Sequence, residues 1–365
     1  MTQQTILVTG GSGFIGVETC KQLVAAGYNV INIDRKKKDI EGVTQYPFDI
    51  SNSQVKGIIT LTRPDAIIHL AAEHEVERSF TEPDVYFHNN ISNTIELLNH
   101  AAEAGVNKFI FASSSSIYGE RTFNETGYMS GSYEPSPFKE SEKRNPLSPY
   151  SKSKAIIEGM LVDYEKAYGM KHVILRYHNV AGASKDLKHG YTQKPHAHLI
   201  PIICRAIINN ETVLVNGGDT NAQIPVRKVT GMLSAKLDKE QGPPPALVDC
   251  DDNLYDTWDG TCLRDYTHLV DVARSHINVL EYMEDGKSDT FNIGAGDPYT
   301  VLQVLDKFEK VVGKKPEHKI VGKRQGDPSR THANRDKAKK KLKWEPTHTI
   351  DDIILDAYNW ELKQK

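Results

Sequence analysis

Cysteine is scarce in this chain. The four in 365 residues, Cys20, Cys204, Cys250 and Cys262, stand far apart with no CxxC spacing. That excludes a disulfide framework and a thiolate zinc knuckle, and a reducing cytoplasm is the expected compartment. Excess positive charge is also missing: 45 Lys and Arg against 48 Asp and Glu leave a formal net charge of −3. A nucleic-acid partner needs a basic face, so none is expected. No apolar run approaches the roughly 20 residues of a membrane span, and no membrane partner is expected either. The N-terminal MTQQTILVTGG holds no charged-then-apolar leader, which argues against secretion. The histidines of HAH (196–198) lack a third ligand at sensible spacing, so no metal is expected.

What the sequence does have is alternation. Short β-branched runs, TILVTG (5–10), YNVINID (28–34), DAIIHLAA (65–72), KFIFASS (108–114) and KHVILRY (171–177), are separated by helix-length amphipathic segments such as 14–26. Apolar runs this short, spaced by helices, read as parallel strands buried on both faces. The expected fold is α/β: a doubly wound Rossmann-type parallel sheet in residues 1–180, with a smaller C-terminal lobe in 181–365, some of whose segments return to the first domain. In that lobe 299–315 is the clearest helix, with Val301, Val304, Leu305, Phe308 and Val312 on one face and Gly313 near its end.

LVTGGSGFIG (7–16) follows a strand and opens a helix. Its glycines fit G-x-G-x-x-G (Gly11, Gly13, Gly16) or G-x-x-G-x-x-G (Gly10, Gly13, Gly16). Absent side chains let a pyrophosphate approach the backbone at a helix N-terminus. Asp34 closes the next strand, where a carboxylate binds an adenosine ribose diol, so the cofactor reads as a dinucleotide. The following RKKK (35–38) is either a site for the 2′-phosphate of NADP or a solvated loop; Asp34 would repel that phosphate, which favours NAD. Asp49 and Ile50 fall where an adenine could be held, or equally at a strand end with a helix cap.

FASSSSIYG (111–119) ends a strand on the side where a doubly wound sheet opens its ligand crevice. Any of its four serines could hydrogen-bond a reacting oxygen. In SPYSKSK (148–154), Pro149 sets a helix start, and Tyr150 and Lys154 share a face at i and i+4. A phenol is too weakly acidic to act as base at neutral pH, and a nearby ammonium and a cationic nicotinamide would lower its pKa.

TGGSGFIG, SSSSIYG, SPYSKSK, RYHNVAGA, HLIP, DGTCLRDYTHLVDVA, FNIGAG and RQGDPSR follow one another in the order of the extended short-chain dehydrogenase/reductase superfamily. More narrowly, the chain resembles the UDP-glucose (UDP-galactose) 4-epimerase family, from about residue 5 to 360. The resemblance implies NAD-dependent inversion of C4 of a UDP-hexose through a transient 4-keto sugar. It implies Ser114, Tyr150 and Lys154 as the catalytic set, with Tyr150 taking the proton of the 4-hydroxyl. Besides Gly10, Gly13, Gly16, Asp34, Asp49 and Ile50, it carries cofactor contacts onto Phe14, Ile15, Leu70, Ala71, Ala72, Asn89, Tyr150, Lys154 and Tyr177. Substrate contacts fall on Ser114, Ser115, Tyr150, Asn179, Leu199, Arg264, Arg324 and Asp327, the arginines on the diphosphate. A homodimer joined through the helices near 90–104 and after Tyr150 is also implied.

Four departures stand out. His74 replaces a lysine common in the family, and His178 turns the usual RYFN into RYHN; neither is given a chemical role. Thr331 lies where some bacterial members carry a bulky tyrosine, so UDP-GlcNAc and UDP-GalNAc enter the expected substrates. Residues 220–254 are an insertion, with Val226, Val229, Leu233 and Leu237 on one face of a short helix. It reads either as a lid over the nucleotide or as a surface or oligomer excursion. Related 4,6-dehydratases follow the catalytic Ser or Thr with Asp-Glu; Ser115 and Ser116 stand there, which disfavours elimination. The competing readings are another nucleotide-sugar C4 epimerase or 4-reductase, for UDP-glucuronate or UDP-arabinose, and a non-catalytic NAD(H) sensor.

Overall fold

The computed structural model describes residues 3–120, 136–193, 196–218, 255, 257 and 259–365. The 220–254 insertion and Cys250 lie outside them. In chain order the strands are β1 (Thr5–Thr9), β2 (Asn29–Ile33), β3 (Val43–Tyr46), β4 (Ala66–His69), β5 (Lys108–Ser114), β6 (Lys171–Tyr177), β7 (Asn179–Ala181), β8 (Val213–Asn216), β9 (Leu263–His268), β10 (Asp289–Ile293), β11 (Pro298–Thr300), β12 (His318–Val321) and β13 (Arg330–Thr331).

Seven of them form one parallel sheet in the order β3-β2-β1-β4-β5-β6-β10. The short apolar runs become these strands because each is buried on both faces. Ile6, Val8 and Ile68 pack under the Phe14–Ala25 and Leu269–Met283 helices with Leu23, Val272 and Met283. Leu7, Ile67 and Phe109 pack on the other face, beneath Leu97, Leu98, Ile157 and Leu161. Strand order reverses between β1 and β4, so the crevice opens beyond their carboxyl ends. DAIIHLAA is shorter as a strand than its sequence suggests. After His69 only the Leu70 N–H still bonds β1, at the Thr9 carbonyl (3.0 Å), and the Leu70–Ala71 backbone then lies against Gly10 of the glycine loop.

β6 passes into a second sheet almost at once. β7 pairs with β9, which also pairs antiparallel with β11 and parallel with β13. Around it a second core joins Ile203 and Ile207, Val304, Leu305 and Phe308, and Ile353 and Ile354 from three helices. The helix expected over 299–315 spans Val301–Val312: Thr300 and Gln303 form its capping box, and Gly313 ends it at φ +74°. The two sheets thus meet at the carboxyl end of β6.

Candidate active site

The glycine loop is shaped by three glycines and kept open by a fourth. A Cβ on Gly10 (φ +76°) would lie 2.6 Å from the Ala71 nitrogen, one on Gly11 2.3 Å from Asn32 Oδ1, and one on Gly16 2.2 Å from the Gly10 oxygen. Packing within the protein therefore demands these three. At Gly13 a Cβ would meet only the Gly10 oxygen, at 3.2 Å. Gly13 is also the N-cap of the Phe14–Ala25 helix and supplies no side-chain cap, so the first-turn N–H groups face outward unclaimed by one. Space and donors at a helix N-terminus suit a pyrophosphate. Asp34 sits at the rim, its carboxylate accepting from the backbone N–H groups of Ser12 (3.0 Å) and Lys36 (2.8 Å). These residues fit a dinucleotide.

The surroundings of that loop are more tied down than the sequence suggests. Asn32 accepts from Gly11 N–H at 2.8 Å and donates to Ser12 and Gln45, holding the loop from behind. The RKKK run is partly absorbed. Lys38 donates to His189 at 2.9 Å, whose other nitrogen meets the Phe14 carbonyl at 2.7 Å, and Arg35 lies 3.4 Å from Glu73. Asp49 accepts from Ser51, closing a turn, and Ile50 is buried in the core. Ile15 packs on the core below the loop. Asn89 reaches Glu73 at 3.3 Å, while its neighbour Asn90 pins the same residue through two backbone hydrogen bonds and reaches Ser153. The Tyr177 hydroxyl is bonded to His276 on the far face of the sheet, 2.7 Å away, which leaves its backbone to face the crevice.

The four serines at the end of β5 separate clearly. Ser113 turns inward to Glu158 at 2.6 Å, and Ser115 is buried. Ser114 accepts from the Ser116 hydroxyl at 2.9 Å and is the one whose hydroxyl acts on the Tyr150 phenol. Pro149 and the Ser148–Ser151 capping box start the helix that carries Tyr150 and Lys154. Lys154 donates to the Ala112 carbonyl at 2.8 Å and lies 5.9 Å from the centre of the Tyr150 ring.

The expected depression of the Tyr150 pKa is not what the protein alone produces. Burial raises it, with the Ser114 hydroxyl working the other way, and burial likewise lowers Lys154 to about 7, with Glu158 opposing. A desolvated site favours the neutral form of both groups, and the ammonium is committed to a carbonyl rather than to the phenol oxygen.

Across from this pair, β9 and the 324–331 segment present the groups expected to hold a diphosphate. Arg264 is 7% exposed and donates to Asp327 (2.6 Å) and to the Pro328 carbonyl (2.6 Å). Tyr255, which the sequence did not single out, donates to the other Asp327 oxygen at 2.8 Å. Arg324 lies 3.9 Å from Glu77. Asn179 begins β7, Leu199 begins the Leu199–Asn209 helix, and Thr331 is buried in β13 in register with Arg264. His74 stacks on His198 at 5.8 Å, joining the segment after β4 to the start of that helix. His196 is engaged by the Gln193 carbonyl and Glu361.

Comparison with known proteins gives one answer. A UDP-glucose 4-epimerase of Rhizobium meliloti (strain 1021) is 33% identical over 370 residues, covering 100% of this chain and 99% of its own. A UDP-glucose 4-epimerase from Bifidobacterium longum, solved with NAD+ and UDP, superposes with a TM-score of 0.81 at 29% identity, over 99% of this chain and 98% of that one. A UDP-Glc/GlcNAc 4-epimerase from Campylobacter jejuni superposes with a TM-score of 0.74 at 28% identity, over 99% of both chains. Residues 6–294 match the NAD dependent epimerase/dehydratase family, and the chain belongs to that family.

Proposed function

We propose that the protein is an NAD-dependent isomerase that inverts C4 of a UDP-hexose, with UDP-glucose and UDP-galactose as first substrates. The observation that carries this reading is the placement of Ser114 close enough to Tyr150 to act on its phenol, with Lys154 one helical turn away, at the carboxyl ends of the strands that also carry the glycine loop. When bound, NAD supplies a hydride acceptor and donor at C4. Gly13 and the helix N-terminus would receive its pyrophosphate and Asp34 its adenosine ribose.

Tyr150 would take the proton from the 4-hydroxyl, Ser114 would bond the same oxygen, and Lys154 would keep the nicotinamide side of the site positively charged when protonated. Arg264 and Arg324 would hold the diphosphate, leaving the hexosyl group free to present either face. Ser115 and Ser116 offer no carboxyl acid or base for elimination. Thr331, small and buried beside Arg264, supports extending the substrate range to UDP-GlcNAc.

A homodimer fits the exposed Phe87, Ile95, Ile156 and Val162 on neighbouring helices. The described cysteines, Cys20, Cys204 and Cys262, are buried and unpaired, which suits the cytoplasm. The two sheets would divide the work, the larger holding NAD and the smaller the UDP end.

The test is a panel of UDP-sugars with purified enzyme. Product formation at constant total cofactor supports the epimerase. Stoichiometric NAD(P)H consumption would mean a reductase, and no turnover of any sugar would overturn the reading.

A further inference from the structure

His178 is the one residue between β6 and β7, and so the point at which the chain passes from the large sheet to the small one. Its backbone N–H still bonds the Ile293 carbonyl at 3.1 Å, extending the pairing of β6 with β10. Arg176 runs to Glu158 of the Pro149–Tyr168 helix, and Tyr177 to His276 on the opposite face. Strand alternation returns His178 to the face of the helix that carries Tyr150. Gly294 leaves room for it: a Cβ there would stand 3.1 Å from the imidazole.

The side chain is 6% exposed, and neither ring nitrogen has a hydrogen-bond partner among the described residues. A buried imidazole with both nitrogens unsatisfied is costly, and native structures rarely keep such a group without a use. The flanking residues are Tyr177 and Asn179, and the charge it feels is that of Arg264. Arg264 is as secluded as His178, so a nucleotide-sugar that reaches the guanidinium must open the cover over a residue whose charge His178 feels.

The chemistry of the missing partner is constrained. Burial and Arg264 keep the imidazole neutral, its pKa pushed down to about 3. A neutral ring offers one N–H donor and one lone pair. A diphosphate, which only accepts, leaves the lone pair unpaired. Sugar hydroxyls both donate and accept, and so satisfy both nitrogens.

We propose that His178 is a substrate-specificity residue that hydrogen-bonds the hexosyl hydroxyls of the bound nucleotide-sugar, an assignment that rests on the UDP-hexose reading above. A phenylalanine at this position fills the same space without the polar contacts.

The test compares cofactor-loaded wild type with His178→Phe and His178→Gln, measuring calorimetric binding of UDP and of UDP-glucose together with steady-state kinetics. His178→Phe should melt no lower than wild type, because it removes two orphaned nitrogens, and should bind UDP unchanged. Its Kd and KM for UDP-glucose should rise at least tenfold, the scale of the two modest hydrogen bonds it removes. His178→Gln, which keeps a donor and an acceptor, should recover part of the loss and cover the case in which the Phe variant misfolds. Unchanged UDP-glucose binding and turnover in His178→Phe would overturn the assignment, as would equal losses for UDP and UDP-glucose. Failure of the underlying reading looks different: the wild type itself would turn over no UDP-hexose, and the assignment would fall with it.

Discussion

Arg264 donates to Asp327 at 2.6 Å, so the two residues expected to grip the two ends of a UDP group grip each other in the free protein. Tyr255 takes the second carboxylate oxygen, and the Pro328 carbonyl takes another guanidinium hydrogen. The arginine is therefore aimed before any ligand arrives, which spares the cost of ordering it on binding. Arg264→Met should raise KM for UDP-sugars roughly 10- to 100-fold, because hydrogen bonds to a charged group contribute about 1.5–3 kcal/mol each. Its kcat should change much less. Asp327→Asn should also weaken binding, but by loosening Arg264, and should lower stability, since breaking a buried ion pair strands the remaining charge. A melt and a KM measured on both variants separate the two effects.

Gly13 and Gly16 predict opposite failures. Gly16→Ala forces a Cβ to 2.2 Å from the Gly10 backbone oxygen, which cannot move without reshaping the loop. That variant should lose stability and NAD binding together. Gly13→Ala meets one atom at 3.2 Å and sits at a helix N-cap with ordinary negative φ, so the fold should tolerate it. Its new methyl group occupies the approach of the pyrophosphate. The expected result is a melting temperature near that of the cofactor-free wild type, with NAD affinity reduced at least tenfold, about 1.4 kcal/mol. Equal NAD affinity in wild type and Gly13→Ala would show that the phosphate does not pass there.

The large sheet was legible because parallel strands buried on both faces write themselves as apolar runs, and its glycine loop because local backbone geometry needs glycine. The shared helical face of Tyr150 and Lys154 was legible from their spacing, but their pairing for chemistry only from the upstream glycine loop and the family resemblance. Choosing among Ser113 to Ser116 was beyond periodicity: what separates them is Glu158, more than 40 residues on, which draws Ser113 inward. Tyr255 was missed because its partner Asp327 is 72 residues away and no spacing rule links them. In the protein alone the Tyr150 pKa moves up rather than down for a related reason. A neighbouring charge can be read from sequence, but desolvation is set by the whole surrounding fold. In sequence Lys38 is one of a charged run, and only the loop that brings His189 beside it gives it a partner.

Lys154 ties stability to pH in a defined window. Burial holds its folded pKa at about 7, against 10.5 for the unfolded side chain. Between those values the unfolded chain carries a proton that the folded chain lacks, so stability from this group grows as pH rises through the window and is flat below it. Lys154→Met removes the titration. In cofactor-free protein, the wild-type urea midpoint should climb relative to that of Lys154→Met as pH is raised from about 7 toward 10.5. Parallel profiles across that range would mean the lysine stays charged in the fold. The same substitution should abolish turnover.

Assembly can be tested on the Pro149–Tyr168 helix, whose inner face is spent on the core through Ile157 and Leu161. On its outer side Ile156 is 46% exposed, and Gly159 has nothing within 4 Å of where its Cβ would lie. A glycine in mid-helix costs roughly 1 kcal/mol against alanine, so an open one needs another reason to be there. Close approach of a second helix is such a reason, and Ile95 and Phe87 extend the apolar surface on the adjoining helical segment. Ile156→Glu would put an unpaired charge into a dimer contact on this face while leaving the monomer's core untouched. The variant should sediment as a monomer under conditions where wild type sediments as a dimer, with little change in its circular dichroism. An Ile156→Glu protein that remains dimeric would place the contact on a different face.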